Sequence, residues 1–462
     1  MNGVWLILDS LSYSATPFAT DGPDTMPNYG EIVSKHGINF TEAYAPGPFS
    51  PSSHASFFTS EIPSTAGMYE ANPRFDGTLR TIGDVMSETH STHLITTNHF
   101  LFQGLDEGFD HADDIGRRYM LFQEASDPKD YSRMYNDNPG WKRLVDFLTD
   151  GGTPVRSLLN GLNYKFGGDQ WIRPESWGDE ENFQYASTMC DMIRRRLSGP
   201  DDSFVVANFM DLHGPFGISE AAFDRFFDDT PKSEVPIGER TRRDKLRGEK
   251  AYDPEKMYTL YKAAIWDFDR KFSPLVSKLI DDDTFVAVLA DHGWYDTNTA
   301  YSDERLHVPL TLFIPGEEPR EVQQTVSLRS LPRTTTEVLQ GTDGGFSGPS
   351  LLDVTTDQTA ITEVIHKPND VYEKTQRVYV NRPVDSPTPE EIQHDIVLYE
   401  GDAKVTALDG TIHDTRGSPP TVSQLEEKAA ELHAKQIRHP SGESEAYDEE
   451  TKKRLQRLGY LE

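Results

Sequence analysis

Phe285-Val286-Ala287-Val288-Leu289-Ala290-Asp291-His292-Gly293 is the stretch on which the fold of this 462-residue chain turns. Six apolar residues without alternation predict a strand buried on both faces, as strands of parallel sheets are. Two more runs share the design: Val4-Trp5-Leu6-Ile7-Leu8 leads into Asp9, and Phe204-Val205-Val206-Ala207-Asn208-Phe209-Met210 leads into Asp211 and His213. Helical patterns lie between them, so the expected architecture is α/β, a largely parallel sheet flanked by helices. Ligands of such sheets bind beyond the carboxyl ends of the strands, where these acids would converge. Convergent carboxylates repel unless a cation neutralises them, and Asp with His suits a divalent metal. The competing expectation is that each Asp caps a helix by accepting from its free backbone amides. For Asp291-His292-Gly293 the metal is expected.

The helices read as scaffolding. Over 179–197, Phe183, Ala186, Cys190, Ile193 and Leu197 share one face, with Arg194-Arg195-Arg196 in the last turn to complement the helix dipole. Cys190 is therefore expected in the core. Over 260–279 the same spacing recurs with Ala264, Phe268, Phe272, Leu275 and Leu279. Loop-like zones fall at 15–28, 112–140 and 214–254. A boundary is placed in 353–359, dividing a catalytic domain, 1–355, from a smaller C-terminal α+β subdomain, 356–462. In the latter, 360–366, 377–381 and 396–407 alternate as antiparallel strands do, with turns at Glu400-Gly401-Asp402 and Asp409-Gly410. Helices are expected at 423–436 and 448–459.

Composition narrows the function. Lys and Arg total 45 against 76 Asp and Glu, a net charge of −31 that repels nucleic-acid phosphates and anionic headgroups, so neither nucleic acid nor membrane is an expected partner. The same excess of acid fits adaptation to high salt, where screening shortens the range of self-repulsion. A single cysteine allows no internal disulfide and no cysteine-based zinc site. The apolar run at 4–8 is too short for a signal peptide or a membrane span, and a cytoplasmic protein is expected.

One segment has the makings of a nucleophile. Pro48-Phe49-Ser50-Pro51-Ser52-Ser53-His54-Ala55-Ser56-Phe57-Phe58-Thr59 joins a proline-rich turn to a helical start, where unpaired N–H groups and the helix dipole favour an anion. The plainer expectation is that Ser52 or Ser53 caps a helix packing Phe57 and Phe58.

Taken together, the motifs resemble the sulfatase family of the alkaline phosphatase superfamily. The resemblance rests on Leu8-Asp9-Ser10-Leu11, Met26-Pro27-Asn28, Gly37-Ile38-Asn39-Phe40-Thr41-Glu42-Ala43-Tyr44 and Ser50-Pro51-Ser52-Ser53-His54-Ala55-Ser56. It continues through Asp211-Leu212-His213-Gly214-Pro215-Phe216, Asp291-His292-Gly293, His307-Val308-Pro309-Leu310 and the tail Arg457-Leu458-Gly459-Tyr460-Leu461. With the acidic charge, it is to a haloarchaeal-like member. The resemblance implies an alkaline phosphatase-like fold and one divalent ion (Ca, Mg, Mn or Zn) held by Asp9, Asp291 and His292. It also implies Ser50 at the nucleophile's place, His213 on the substrate's anionic group with Asp211 beside it, and His54 where the family keeps an arginine. Asn98, His99, Arg305 and His307 are candidates for the pocket rim.

The chain also departs from that pattern. The family's Cys/Ser-x-Pro-x-Arg motif, whose first residue matures to formylglycine, has Ser52 and His54 at its third and fifth places here, so an unmodified serine is expected. Ser10 and Ser14 stand where relatives carry further acids, which points to one ion, not two. The implied activity is metal-dependent hydrolysis of an anionic ester, sulfate or phosphate, through a covalent serine intermediate. The alternative is a relative that keeps the fold but binds without catalysis.

Overall fold

Three apolar strands with no polar face can be satisfied only in the middle of a sheet covered on both sides, and that is where they lie. The computed structural model describes residues 1–115, 148, 154–166, 185–228, 230–237, 253–294, 300–366 and 392–438. In chain order the strands are β1 (Gly3–Leu8), β2 (Ile38–Phe40), β3 (Ala43–Tyr44), β4 (Ser91–Thr96), β5 (His111–Asp114), β6 (Ser203–Phe209) and β7 (Phe285–Leu289). There follow β8 (Leu310–Phe313), β9 (Arg320–Val322), β10 (Val326–Ser327), β11 (Ala360–His366), β12 (Gln393–Glu400), β13 (Ala403–Leu408) and β14 (Thr411–Arg416). The main sheet runs β5-β4-β6-β1-β7-β8-β2-β9. β1 pairs in parallel with β6 and with β7, and β4 is parallel to β6. β8 runs antiparallel to both of its neighbours, β7 and β2. Leu8 lies opposite Phe209, and Ile7 opposite Leu289, so the three central strands end side by side.

Every residue of β1, β6 and β7 is buried. Trp5, at the centre, meets the rings of Phe57, Phe58 and Phe204 at centroid separations of 6.3, 6.1 and 5.5 Å, and its indole N–H donates to Thr335 Oγ1 at 2.9 Å. The helix Pro254–Asp281 is longer than the apolar spacing suggested, because Asp253 caps it through Glu255 N and Pro254 sits at its first position. Its Ala264, Phe268, Phe272, Leu275 and Leu279 are buried, as the periodicity requires. The Ala186–Leu197 helix buries Ala186, Cys190 and Ile193, and burial pushes the Cys190 thiol up to about 12. Phe183 lies outside the described residues.

Other expectations need correction or fall elsewhere. The zone 214–254 is not all loop, since Glu220–Phe226 is a helix capped by Ser219. Most of 112–140, the strand at 377–381 and the tail helix at 448–459 lie outside the described residues. The alternating stretch 396–407 falls in two strands, β12 and β13, which turn at Gly401, where φ is +58°. β14, not anticipated, follows through Asp409-Gly410, both at positive φ, a combination typical of tight hairpins. The last described helix is Pro419–His433, and its Leu425, Ala429 and Leu432 pack on Ile396, Leu398 and Val405 of the antiparallel sheet β11-β12-β13-β14. The molecule is thus a mostly parallel, helix-flanked sheet with a separate four-stranded antiparallel sheet near the C-terminus.

By contacts the chain forms two compact units, 1–112 with 179–462, and 113–178. In the second, Pro154–Phe166 is helical. Among the described residues no helix is long and apolar enough to cross a membrane.

The start of α1 (Pro27–His36) depends on one buried carboxylate. Asp269 accepts from Asn28 N (3.0 Å), Asn28 Nδ2 (2.8 Å), Tyr29 N (2.9 Å) and Ser273 Oγ (2.6 Å), tying this helix to Pro254–Asp281. Removing the acceptor strands these donors away from water. Asp269→Ala is therefore expected to destabilise the fold by about 2–4 kcal/mol, read as a lower urea midpoint; an unchanged midpoint contradicts this account.

Candidate active site

Because β6, β1 and β7 end together, the residues just past them must share one space. Asp9 follows β1, its N–H donating to Phe209 O at 3.0 Å. The chain then turns sharply at Ser10, with φ +66°, which aims Ser10 N at Asp291 Oδ1 (3.1 Å) while Ser10 Oγ donates to Asp9 Oδ1 (3.0 Å). Asp291, past β7, is fully buried and also accepts from His292 N at 2.9 Å. Ligand atoms of Asp9, Asp291 and His292 lie within 4.8 Å of one another.

Burial and neighbouring charge act strongly on Asp9 and His292. Burial, and then the Asp291 carboxylate, push the Asp9 carboxyl well above the usual range, with hydrogen bonds from Ser10, Asn98 and Ser50 opposing. His292 Nδ1–H donates to Gly293 O at 2.9 Å, so its Nε2 carries a lone pair, 3.3 Å from Asp291 Oδ2. Burial, then the Arg305 charge, lower this imidazole to about 3, leaving it neutral near pH 7. Two carboxylates and a neutral imidazole are the donor set a divalent cation takes, so the residues fit such an ion. Gly293 is required by contact: a Cβ there would lie 1.8 Å from Glu304 O.

The helix α2 (Ser50–Thr59) delivers the hydroxyl. Ser50 Oγ lies 2.9 Å from Asp291 Oδ2, and 3.5 Å from both Asp9 Oδ2 and His292 Nε2. Neither Ser52 nor Ser53 caps this helix: the cap residue is Phe49, without a side-chain bond, while Ser53 Oγ donates to Asp291 O at 2.6 Å. Phe57 and Phe58 are buried, as expected of a packed face.

Asn98 joins the cluster, donating through Nδ2 to Asp9 Oδ2 (2.9 Å) and Ser50 Oγ (3.2 Å). Its Oδ1 accepts from Phe100 N at 3.0 Å, which locks the amide's orientation. Asn208 was not singled out from the sequence, yet its Nδ2 donates to Asp9 Oδ2 at 3.2 Å. The available signal was a lone amide inside an otherwise apolar, buried strand, which must have a polar partner.

The remaining candidates sit differently. His54, one turn after Ser50, is fully buried; its Nδ1–H donates to Ser50 O at 2.9 Å and stands 3.6 Å from Asp291 Oδ2. Burial lowers this imidazole to about 4. His213 lies past β6 with Nδ1–H donating to Gly214 O at 2.8 Å. Asp211 meets the head of a helix: its Oδ1 accepts from Tyr185 N and Ala186 N, each at 2.9 Å, at the start of Ala186–Leu197. Burial raises its carboxyl to about 6.

Arg305 is fully buried, donating to Pro48 O at 3.1 Å with its guanidinium 5.0 Å from the centre of the Phe49 ring, behind the turn that leads into α2. His99 accepts from Gln103 Nε2 at 3.1 Å. His307 is stacked between Tyr13 and Tyr44, at 4.1 and 5.1 Å, and donates to Thr41 O at 2.7 Å. It lines a cleft of about 660 Å³ with Tyr13, Glu42, Asp303, Glu304 and Glu321, none of them in the cluster. Those acids give that cleft the wrong sign for an anionic ester.

Comparison with known proteins agrees with this geometry. The sulfatase family model matches residues 1–341. No curated protein matches the sequence. Among solved structures, the phosphonate monoester hydrolase of Agrobacterium radiobacter is similar over 93% of this chain and 94% of its own, at 12% identity and a TM-score of 0.60. The phosphonate monoester hydrolase of Silicibacter pomeroyi is similar over 95% and 96%, at 13% identity and a TM-score of 0.61. A 2-O GAG sulfatase is similar over 93% and 90%, at 14% identity and a TM-score of 0.55. At these identities the structural likeness concerns the fold. The family match, which spans most of the chain and includes both halves of the cluster, is what decides membership: this protein belongs to the sulfatase family.

Proposed function

We propose that the chain hydrolyses a sulfate or phosphate ester with the unmodified Ser50 hydroxyl as nucleophile. The observation that carries this reading is Ser50 Oγ at 2.9 Å from Asp291 Oδ2 and 3.5 Å from Asp9 Oδ2 and His292 Nε2. Asp9, Asp291 and His292 would hold one divalent ion, of calcium, magnesium, manganese or zinc. When bound, such an ion supplies a Lewis-acid charge that eases ionisation of an alcohol and the build-up of charge on ester oxygens.

The side chains do the rest. Asp291 Oδ2 is the nearest acceptor for the Ser50 proton, and Asn98 Nδ2, 3.2 Å from Ser50 Oγ, can donate to the oxyanion as it forms. Ser50 Oγ bonds to the sulfur or phosphorus as the bond to the leaving oxygen breaks. His213, with Nδ1–H held by Gly214 O, is assigned in its doubly protonated form to the ester's anionic group; its Nε2–H then gives its proton to the leaving oxygen and is replenished by the attacking water. Water then attacks the serine ester, and the inorganic anion departs with Ser50 restored. His54 holds the Ser50 carbonyl and is assigned to orienting the nucleophile. Hydroxyl chemistry suffices for this cycle, so formylglycine is not invoked.

Ser50→Ala is expected to lower turnover by about 10³-fold or more while an inhibitory anion such as vanadate still binds; wild-type turnover in this variant rejects the mechanism. Asp291→Asn should lose both turnover and the stoichiometric ion, the latter measured by elemental analysis without reference to activity. Wild-type protein lacking a stoichiometric divalent ion after purification without chelators counts against the donor set. A panel of sulfate and phosphate mono- and diesters, assayed with each ion, identifies the substrate class.

The net charge of −31 supports a salt-rich cytoplasm as the working environment. Stability and activity are then expected to rise as salt goes from about 0.1 M to above about 1 M, where the Debye length falls from about 10 to about 3 Å. Full stability without added salt refutes this.

A further inference from the structure

The turn that presents Ser50 is braced from its far side by an acid outside the cluster. Ser52, in the first turn of α2, donates through Oγ to Glu70 Oε1 and also approaches Phe49 O at 3.2 Å. Phe49 is the cap residue of α2 and makes no side-chain cap bond. The chain folds closely over Ser52: a Cβ on Gly47 would lie 2.1 Å from Ser52 Oγ. Glu70 is itself held. It lies in a tight turn closed by Tyr69 N to Asn72 O (3.0 Å) and Asn72 N to Tyr69 O (2.8 Å), and the next residue, Ala71, donates to Ile365 O of β11 at 3.3 Å.

We infer that Glu70 is a positioning residue for Ser50, acting through Ser52 to fix the first turn of α2 against the cluster. The inference deepens the proposed function and rests on Ser50 as nucleophile. A hydroxyl has one proton to give, and the Glu70–Ser52–Phe49 chain accommodates either state of the acid. An ionised Glu70 accepts the Ser52 proton. A protonated Glu70 donates to Ser52 Oγ, whose own proton then turns to Phe49 O. Burial raises this carboxyl to about 7, so both states are accessible near neutrality and both hold Ser52. From the other side of the same turn, Ser53 Oγ is bonded to Asp291 O at 2.6 Å. The first turn is thereby clamped between the cluster and β11, and Ser50 Oγ has little freedom to leave Asp291.

The test is a double-mutant cycle with a structural readout. Glu70→Ala and Ser52→Ala are each expected to lower kcat by about 10- to 100-fold with KM changed by less than about threefold, the size of effect that a small misplacement produces. The double variant should be no worse than the poorer single one, because one linkage is broken once. Glu70→Gln, whose amide can still bond Ser52, should return kcat to within about threefold of wild type. Additive losses, a rise in KM at constant kcat, or wild-type kcat in Glu70→Ala each overturn the inference. Ser52→Ala and Glu70→Gln carry the test if Glu70→Ala does not fold. A crystal structure of Ser52→Ala gives a readout free of activity: Ser50 Oγ should leave hydrogen-bond distance of Asp291 Oδ2, and an unmoved Ser50 overturns the role. Turnover that survives Ser50→Ala would instead fell the nucleophile assignment, with the crystal structure still deciding whether this clasp positions Ser50.

Discussion

Two carboxylates, Asp9 and Asp291, are buried side by side at the ends of adjacent strands, and that repulsive contact governs the architecture around it. In water such a pair costs little; out of water it is unfavourable unless donors or a cation answer it. The chain supplies donors from four separate segments: Ser10, Ser50, Asn98 and Asn208. A protein stabilised only by apolar burial would have no reason to keep the pair. Its place in the centre of the sheet, with a neutral imidazole at its edge, is an arrangement that an incoming positive charge would relieve.

Holding that arrangement takes rigid elements. Asp9 sits one residue past β1, and Asp291 and His292 two and three residues past β7, so sliding either strand would expose apolar surface or break the ladder. The antiparallel sheet contributes as well. Glu363 of β11 accepts from Ser64 N and Oγ, at 2.7 and 2.9 Å, its own N–H donates to Pro46 O at 3.0 Å, and Thr362 Oγ1 donates to Ala45 O at 2.5 Å. These bonds tie it to the segments before and after α2. The helix that carries Ser50 is therefore stiffened by a part of the chain several hundred residues away, which explains why a sheet without a cluster residue belongs with the site.

Much of the site was legible because its residues carry local marks. Asp9 and Asp291-His292-Gly293 interrupt continuous apolar runs, and Ser50 stands at a proline-flanked helix start. Asn98 entered through the family resemblance, and its amide is at the cluster. Asn208 and Glu70 carry no such mark, for opposite reasons. Asn208 was hidden inside a strand read as apolar, whereas Glu70 lies in an undistinguished turn and acquires meaning only from the hydroxyl it meets. Asp211, Arg305 and His307 are read from residue type alone, and only the fold shows their partners: two backbone amides at a helix head for Asp211, the Pro48 carbonyl for Arg305, and two tyrosine rings for His307.

The amino-acid sequence alone determined the strand type, the acids at the strand ends and the excess of negative charge, because these follow from periodicity and composition along the chain. Tertiary structure alone decided which acids meet, which way each imidazole turns its lone pair, and which polar side chains are consumed by the backbone. Those outcomes depend on distances between residues hundreds of positions apart, and hydrogen bonding and desolvation act over a few ångströms of space, whatever the separation in sequence.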